Sequence, residues 1–198
     1  MTSPKGQKPD ELERVDVISA SEWGTWLEAH HDSAPGAWLR LFRKGASNAT
    51  LTYPEAVEVA LCFGWIDGQV RKLDDISRVQ RFTPRRKRSN WSKVNVERAE
   101  RLVADGRMRP AGLREIEAAK KDGRWQQAYD PPSTATVPDD FLRELRRHPQ
   151  AAAFYDTLNQ TNRFPIVYRL QTAKTPITRA RRIEAIIAQF ERGEKFHD

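Results

Sequence analysis

The residue types best suited to chemistry crowd one stretch, Arg81-Phe82-Thr83-Pro84-Arg85-Arg86-Lys87-Arg88-Ser89-Asn90-Trp91-Ser92-Lys93-Val94-Asn95. Five of its first eight residues are basic, Pro84 stiffens the loop, and the spacing predicts a helix capped by Ser89 or Asn90. Unpaired backbone N–H groups at a helix N-terminus, set beside hydroxyls and guanidinium groups, are the ordinary physics of an anion site. The candidate ligand-binding residues are therefore Arg81, Arg85, Arg86, Arg88, Ser89, Ser92, Lys93 and Asn95, with Phe82 and Trp91 placed to stack on a ring or base. A solvated, charged loop is the plainer alternative. A second cluster, Gly64-Trp65-Ile66-Asp67-Gly68, brackets an aromatic and an acid between two glycines. Trp65 and Asp67 are candidates for a pocket wall, one stacking on a ligand and the other accepting its hydrogen bonds. The plainer reading is a tight turn whose Asp bonds its own backbone.

Other signatures are missing. There is no Gly-rich phosphate loop, no Gly-x-Ser-x-Gly elbow and no His-Glu-x-x-His pair. His30, His31, His148 and His197 do not share ligand spacing with other donors, so no metal site is expected. Cys62 reads as a small core side chain and cannot form an internal disulfide. No catalytic residue and no cofactor is assigned, which points to a binding protein rather than an enzyme.

The charge supports an anionic ligand or partner. The chain has 34 basic and 27 acidic residues, a net +7, and residues 71–101 hold eleven basic against four acidic, the same excess. A GC-rich genome also favours arginine, which outnumbers lysine 24 to 10. The polar N-terminus argues against a secretory signal, and the longest apolar run, Val59–Ile66, is too short to span a bilayer. A cytoplasmic location without membrane insertion is expected, and the Asn48-Ala49-Thr50 glycosylation triplet then carries no meaning.

These residues must be held by an α+β framework. Capping boxes at Ser19–Glu22 and Thr52–Glu55 open two amphipathic helices. Residues 37–43, 69–73 and 76–82 read as strands of a small antiparallel sheet packed with helices. An all-helical C-terminal half follows, with helix starts at Pro138, Ala151, Asn162 (as a cap) and Thr175-Pro176. The expected organisation is a disordered leader over 1–16, an α+β part over 17–128, a linker-like crossing over 129–137, and a helical part over 138–198 packed as one unit with the front. The expected core includes Trp23, Leu27, Leu41, Leu61, Phe63, Leu102, Leu113, Ile116, Phe154, Leu170, Ile183 and Ile187.

Several of these motifs, taken in order, resemble the YdeI/OmpD-associated (bacteriocin-protection, OmdA-like) family. They are Gly64–Gly68, Arg81–Arg85, Trp91-Ser92-Lys93-x-Asn95, Gly106-Arg107-Met108-Arg109-Pro110-Ala111-Gly112, Asp122–Trp125, Ala173–Pro176 and Thr178-Arg179-x-x-Arg182-Ile183. The resemblance covers about residues 17–195. It implies protection against bacteriocins and an association with an outer-membrane porin. It brings no reaction, cofactor or catalytic residue. The leading expectation is thus a cytoplasmic binding protein supporting tolerance to bacteriocins or envelope stress. One alternative is a nucleic-acid-binding regulator using the basic loop 81–93. The other is an enzyme on an acidic small molecule, with Asp67 as base. The oligomeric state is open.

Overall fold

The structure is a computed structural model that describes residues 11–46 and 50–197. The first ten residues of the expected leader, and Asn48 of the glycosylation triplet, lie outside the described residues. The elements run β1 (Glu13–Val15), α1 (Ala20–His30), β2 (Ala37–Phe42), α2 (Tyr53–Cys62), β3 (Trp65–Lys72), β4 (Ser77–Pro84), α3 (Lys93–Ala104), α4 (Pro110–Lys121), α5 (Asp139–Leu145), α6 (Pro149–Asp156), α7 (Gln160–Gln171) and α8 (Pro176–Glu191). This is the expected α+β class, with a helical C-terminal half.

The chain divides into two compact units, residues 1–89 with 97–123, and residues 90–96 with 124–198. The first holds a four-stranded sheet in the order β1-β2-β4-β3. The three expected strands pair antiparallel, as read from sequence. The sheet is nonetheless mixed, because Glu13–Val15, read as part of a disordered leader, adds to β2 in parallel. Three residues are too few to carry a readable period; their pairing comes from β2 alone.

Both capping boxes sit where the residues place them. Ser19 accepts from the Glu22 amide, and the Glu22 carboxylate accepts from the amide of Ile18, one residue beyond the usual partner. Thr52 and Glu55 cap each other reciprocally. Trp65–Gly68, read as a turn, is instead the start of β3. Gly64, at φ +73, ends α2 and lets the chain enter the sheet directly. Asn90 and Ser89 do not cap α3. Tyr129 N–H donates to Trp91 O and Lys93 N–H to Tyr129 O, so the chain stays extended through a bridge at Ser92. Ser92 Oγ then accepts from the Asn95 amide and opens the helix.

One face of the sheet is buried by α1 and α2. Trp23 packs 5.5 Å from Phe82 and edge-on to Trp65, and its Nε1 donates to Ala56 O. Leu113, expected inside, is 37% exposed, because α4 turns Ala111, Gly112, Ile116 and Ala119 inward instead.

The second unit has its own core, built on Phe141, Leu145, Ile166, Leu170, Ile186 and Phe190. Arg179 fastens it: two guanidinium nitrogens donate to both oxygens of Asp140, and the third to Leu170 O. This pair holds the Asp140 carboxyl below its ordinary range. Asn159, not Asn162, caps α7. Asn162 lies inside the helix, and its Oδ1 accepts from the amides of Phe196 and His197. Phe154 and Ile183 are only half-buried around this core.

Two outcomes follow. In urea unfolding, Leu170→Ala should cost about 2–5 kcal/mol and Ile183→Ala about 1–2, since only Leu170 is fully enclosed. A group with a depressed folded pKa adds stability above its unfolded pKa of about 4, and that stability is lost as pH falls. Asp140→Asn should therefore lower stability at neutral pH and flatten its decline in acid, measured by unfolding midpoints across the acid range.

Candidate functional site

Strand parity separates the residues of the first unit into two sets. Trp65 and Asp67 share a face with Phe82, which is the Cα partner of Asp67. Trp65 is 1% exposed, donates Nε1–H to His31 O and meets Trp23 and Trp26 edge-on. It is a core residue and offers no stacking wall. Asp67 Oδ2 accepts the Tyr53 hydroxyl at 2.7 Å. Burial, then that hydrogen bond, then the Asp67 charge push the Tyr53 phenol above its ordinary range, while Arg98 and Arg78 pull against it.

Arg81 points to the opposite face. A bulge sets Gly68 and Gln69 opposite it, between the pairs Asp67–Phe82 and Val70–Gln80. The buried Gln80 amide donates to the carbonyls of both bulged residues. Gly68 leaves room for the guanidinium: a Cβ there would lie 3.1 Å from Arg81 Nε, a buried atom with no hydrogen-bond partner among the described residues. Asp67 and Arg81 thus do not face one ligand. Arg85 is also buried, with Nη1 donating to Ser89 Oγ and its amide to Gly64 O. Arg86 and Arg88 are exposed. Trp91, Ser92, Lys93 and Asn95 belong to the second unit. There Trp91 is buried against Trp125, Lys93 pairs with Asp130, and Asn95 is buried. Within the first unit, Asp67 and Arg81 lie on opposite faces of the sheet.

The structure gathers a different basic set around β3. On the face that carries Arg81, Trp38 is the Cα partner of both Arg14 and Arg81, and the Arg71 guanidinium lies over its ring at 4.6 Å. Such a contact contributes about 0.5–1 kcal/mol where water reaches it. Arg14, Trp38, Arg71, Lys72, Leu73 and Val79 line a depression of about 280 Å³. On the far side of β3, Arg43, Lys44, Lys72 and Arg78 line another of about 520 Å³ with Leu41 and Val70. No acidic residue is among the described residues lining either one. The nearby Asp74 is committed to the hairpin turn. It accepts from Ser77 Oγ, the Ile76 amide and Arg40, and these bonds hold its carboxyl below the ordinary range. Asp16 and Asp75 pair with Arg14 and Lys72 in solvent, where such pairs are weak. Chemically, the margin can hold carboxylates or phosphates by charge.

A third concavity, about 600 Å³, lies among α1, α2 and residues 106–109, with Glu28 3.7 Å from Arg109. Its charges are mixed. Cys62 lines it, and burial raises its thiol pKa. Among the described residues no group of three or more His, Cys, Asp or Glu is placed to hold a metal ion. No helix among them is long and apolar enough to cross a membrane.

Fold and surface together define a two-unit α+β protein with a basic sheet margin. The chain belongs to the family described as Domain of unknown function (DUF8412), whose model matches residues 15–115, and residues 134–193 match the model described as Bacteriocin-protection, YdeI or OmpD-Associated. The family resemblance read from the motifs is therefore matched in the C-terminal segment. No curated protein and no solved structure matches the chain.

The Tyr53–Asp67 pair yields a titration test. A raised tyrosine pKa means the stabilisation is complete below about pH 10 and is lost as pH rises beyond it. Tyr53→Phe should cost about 1–2 kcal/mol at neutral pH. Asp67→Asn should lower the Tyr53 midpoint only part of the way to that of free tyrosine, because burial remains. Tyrosinate absorbance, with Tyr53→Phe as the reference, reads both.

Proposed function

We propose that the protein is a non-catalytic binding component of a bacteriocin- or envelope-stress-tolerance system. It acts in the cytoplasm and captures an anionic partner on the basic margin of its first unit. One observation carries this reading: two depressions share Lys72 and flank one strand, and six basic side chains line them without an acid among the described residues. The family description over residues 134–193 supplies the tolerance context. Arg86 and Arg88 are exposed beyond the opposite end of the β3–β4 hairpin and are not part of this margin.

The alternatives draw less support. A reader of single strands needs exposed rings on which bases stack. Phe82 and Trp91, the rings expected to serve, are 0% and 2% exposed. An enzyme with Asp67 as base needs that carboxylate open to substrate, but its Oδ2 accepts the Tyr53 hydroxyl, and Arg81, the cation expected beside it, lies on the other face of the sheet.

The test is a killing assay. A host lacking the protein should be more sensitive to bacteriocin, wild type should restore tolerance, and Arg14→Ala/Arg71→Ala/Lys72→Ala should not, despite unchanged expression and melting. Equal sensitivity with and without the protein removes the tolerance reading. Full rescue by the triple variant removes the basic margin from it.

A further inference from the structure

Within that binding reading, on which this inference rests, we infer that the partner is an extended acidic peptide segment that adds to β3 as a fifth strand. β3 is an edge: the order β1-β2-β4-β3 leaves it paired on one side only. Residues 68–73 are all exposed, Val70 at 56%. The Leu73 amide donates inward to Ser77 O, and antiparallel pairing alternates along the register Arg71–Val79 and Lys72–Arg78. Val70 and Lys72 therefore turn their N–H and C=O groups outward, where an added strand would bond.

An exposed edge this long invites self-association unless something blocks it. Here the bulge at Gly68-Gln69 shortens the usable edge, and Arg71 and Lys72 make a second copy of the same edge repulsive. The same charges welcome a strand of opposite sign. An incoming strand at this edge would place its side chains alternately on the two faces of the sheet, beside those of β3. Those on one face would meet Arg71 and the apolar Leu73, and those on the other would meet Lys72 and Val70, with Arg78 one strand further in. Acidic residues on both faces, with a β-branched residue beside Val70, match that lining. A polyphosphate backbone would satisfy the charges but has no N–H donors to pair with the outward carbonyls of Val70 and Lys72. Among anionic partners the peptide uses both features of the edge.

The probe is a short synthetic peptide alternating Glu with Val. Its Gln/Val counterpart, a mixed single-stranded oligonucleotide and anionic vesicles serve as comparisons, all at low ionic strength with the full chain. The Glu peptide should bind best. On binding, the amides of Val70 and Lys72 should gain hydrogen-exchange protection. Val70→Pro keeps the charge and removes one outward donor, and proline is tolerated on an edge whose N–H faces solvent. It should weaken the Glu peptide about tenfold, the value of one lost hydrogen bond. Arg71→Ala/Lys72→Ala should weaken it at least as much and reduce its salt dependence. If Val70→Pro fails to fold, protection of the two amides in wild type decides alone.

Unchanged binding by a folded Val70→Pro, or no amide protection, overturns strand addition. If the double alanine variant still loses affinity in that case, the broader anionic reading stands. No binding of the Glu peptide, or preferential binding of the oligonucleotide or vesicles, overturns the peptide proposal. Indifference of every anionic probe to Arg71→Ala/Lys72→Ala overturns both.

Discussion

The first unit depends on burying Trp23, Trp65 and Phe82 together, which fixes the parity of the sheet. Side chains alternate along a strand, so a one-residue slip would carry an entire set to the wrong face. With Phe82 and Trp65 inside, Asp67 must also point toward the helices, where Tyr53 at the start of α2 meets it. By the same parity Trp38, Arg71 and Arg81 must point away. The aromatic core thus decides which cations reach the surface and which carboxylate does not.

Several local devices let so many cations share one small sheet. Arg71 lies over the Trp38 ring and Arg40 over Phe42, which places delocalised charge on apolar faces without burying it. Arg40 also takes up Asp74, and Gly68 opens space for Arg81. Asp74 could have neutralised the margin, but the turn uses its oxygens. The field at β3 stays positive because Asp74 is matched by Arg40, and Asp75 opposes only Lys72, in solvent. In the second unit, Arg179 shows the other use of the residue. There the planar fork closes on Asp140 and Leu170 O to tie three helices, and it adds nothing to a binding surface.

The features legible in the linear chain are those set by neighbours a few residues away. The side-chain caps at Ser19 and Thr52 need only the residue three positions on, and both form, the reciprocal box closing at Thr52. The alternation of Ala37–Phe42 already places Leu39 and Leu41 on one side and Trp38 and Arg40 on the other. The hairpin around Asp74-Asp75 and the break at His148-Pro149 are likewise written locally. So is the family relation, because ordered short motifs are properties of sequence.

What tertiary structure decided are the outcomes that rest on distant partners. The start of α3 moved to Lys93 because Trp91 and Lys93 bond Tyr129, far along the chain. β1 exists because β2 offers an edge, and Leu113 is exposed because α4 packs through Ala111, Gly112 and Ile116. The dense run Arg81–Arg88 is divided by the fold: Arg85 is buried and Arg81 lies against Gly68 of the bulge, while Arg86 and Arg88 are exposed. The basic margin instead joins Arg14, Arg43, Arg71 and Arg78, which no run of sequence brings together. Charge density along a chain reports composition. Charge density on a surface is set by strand register and parity, and both come from how the core closes.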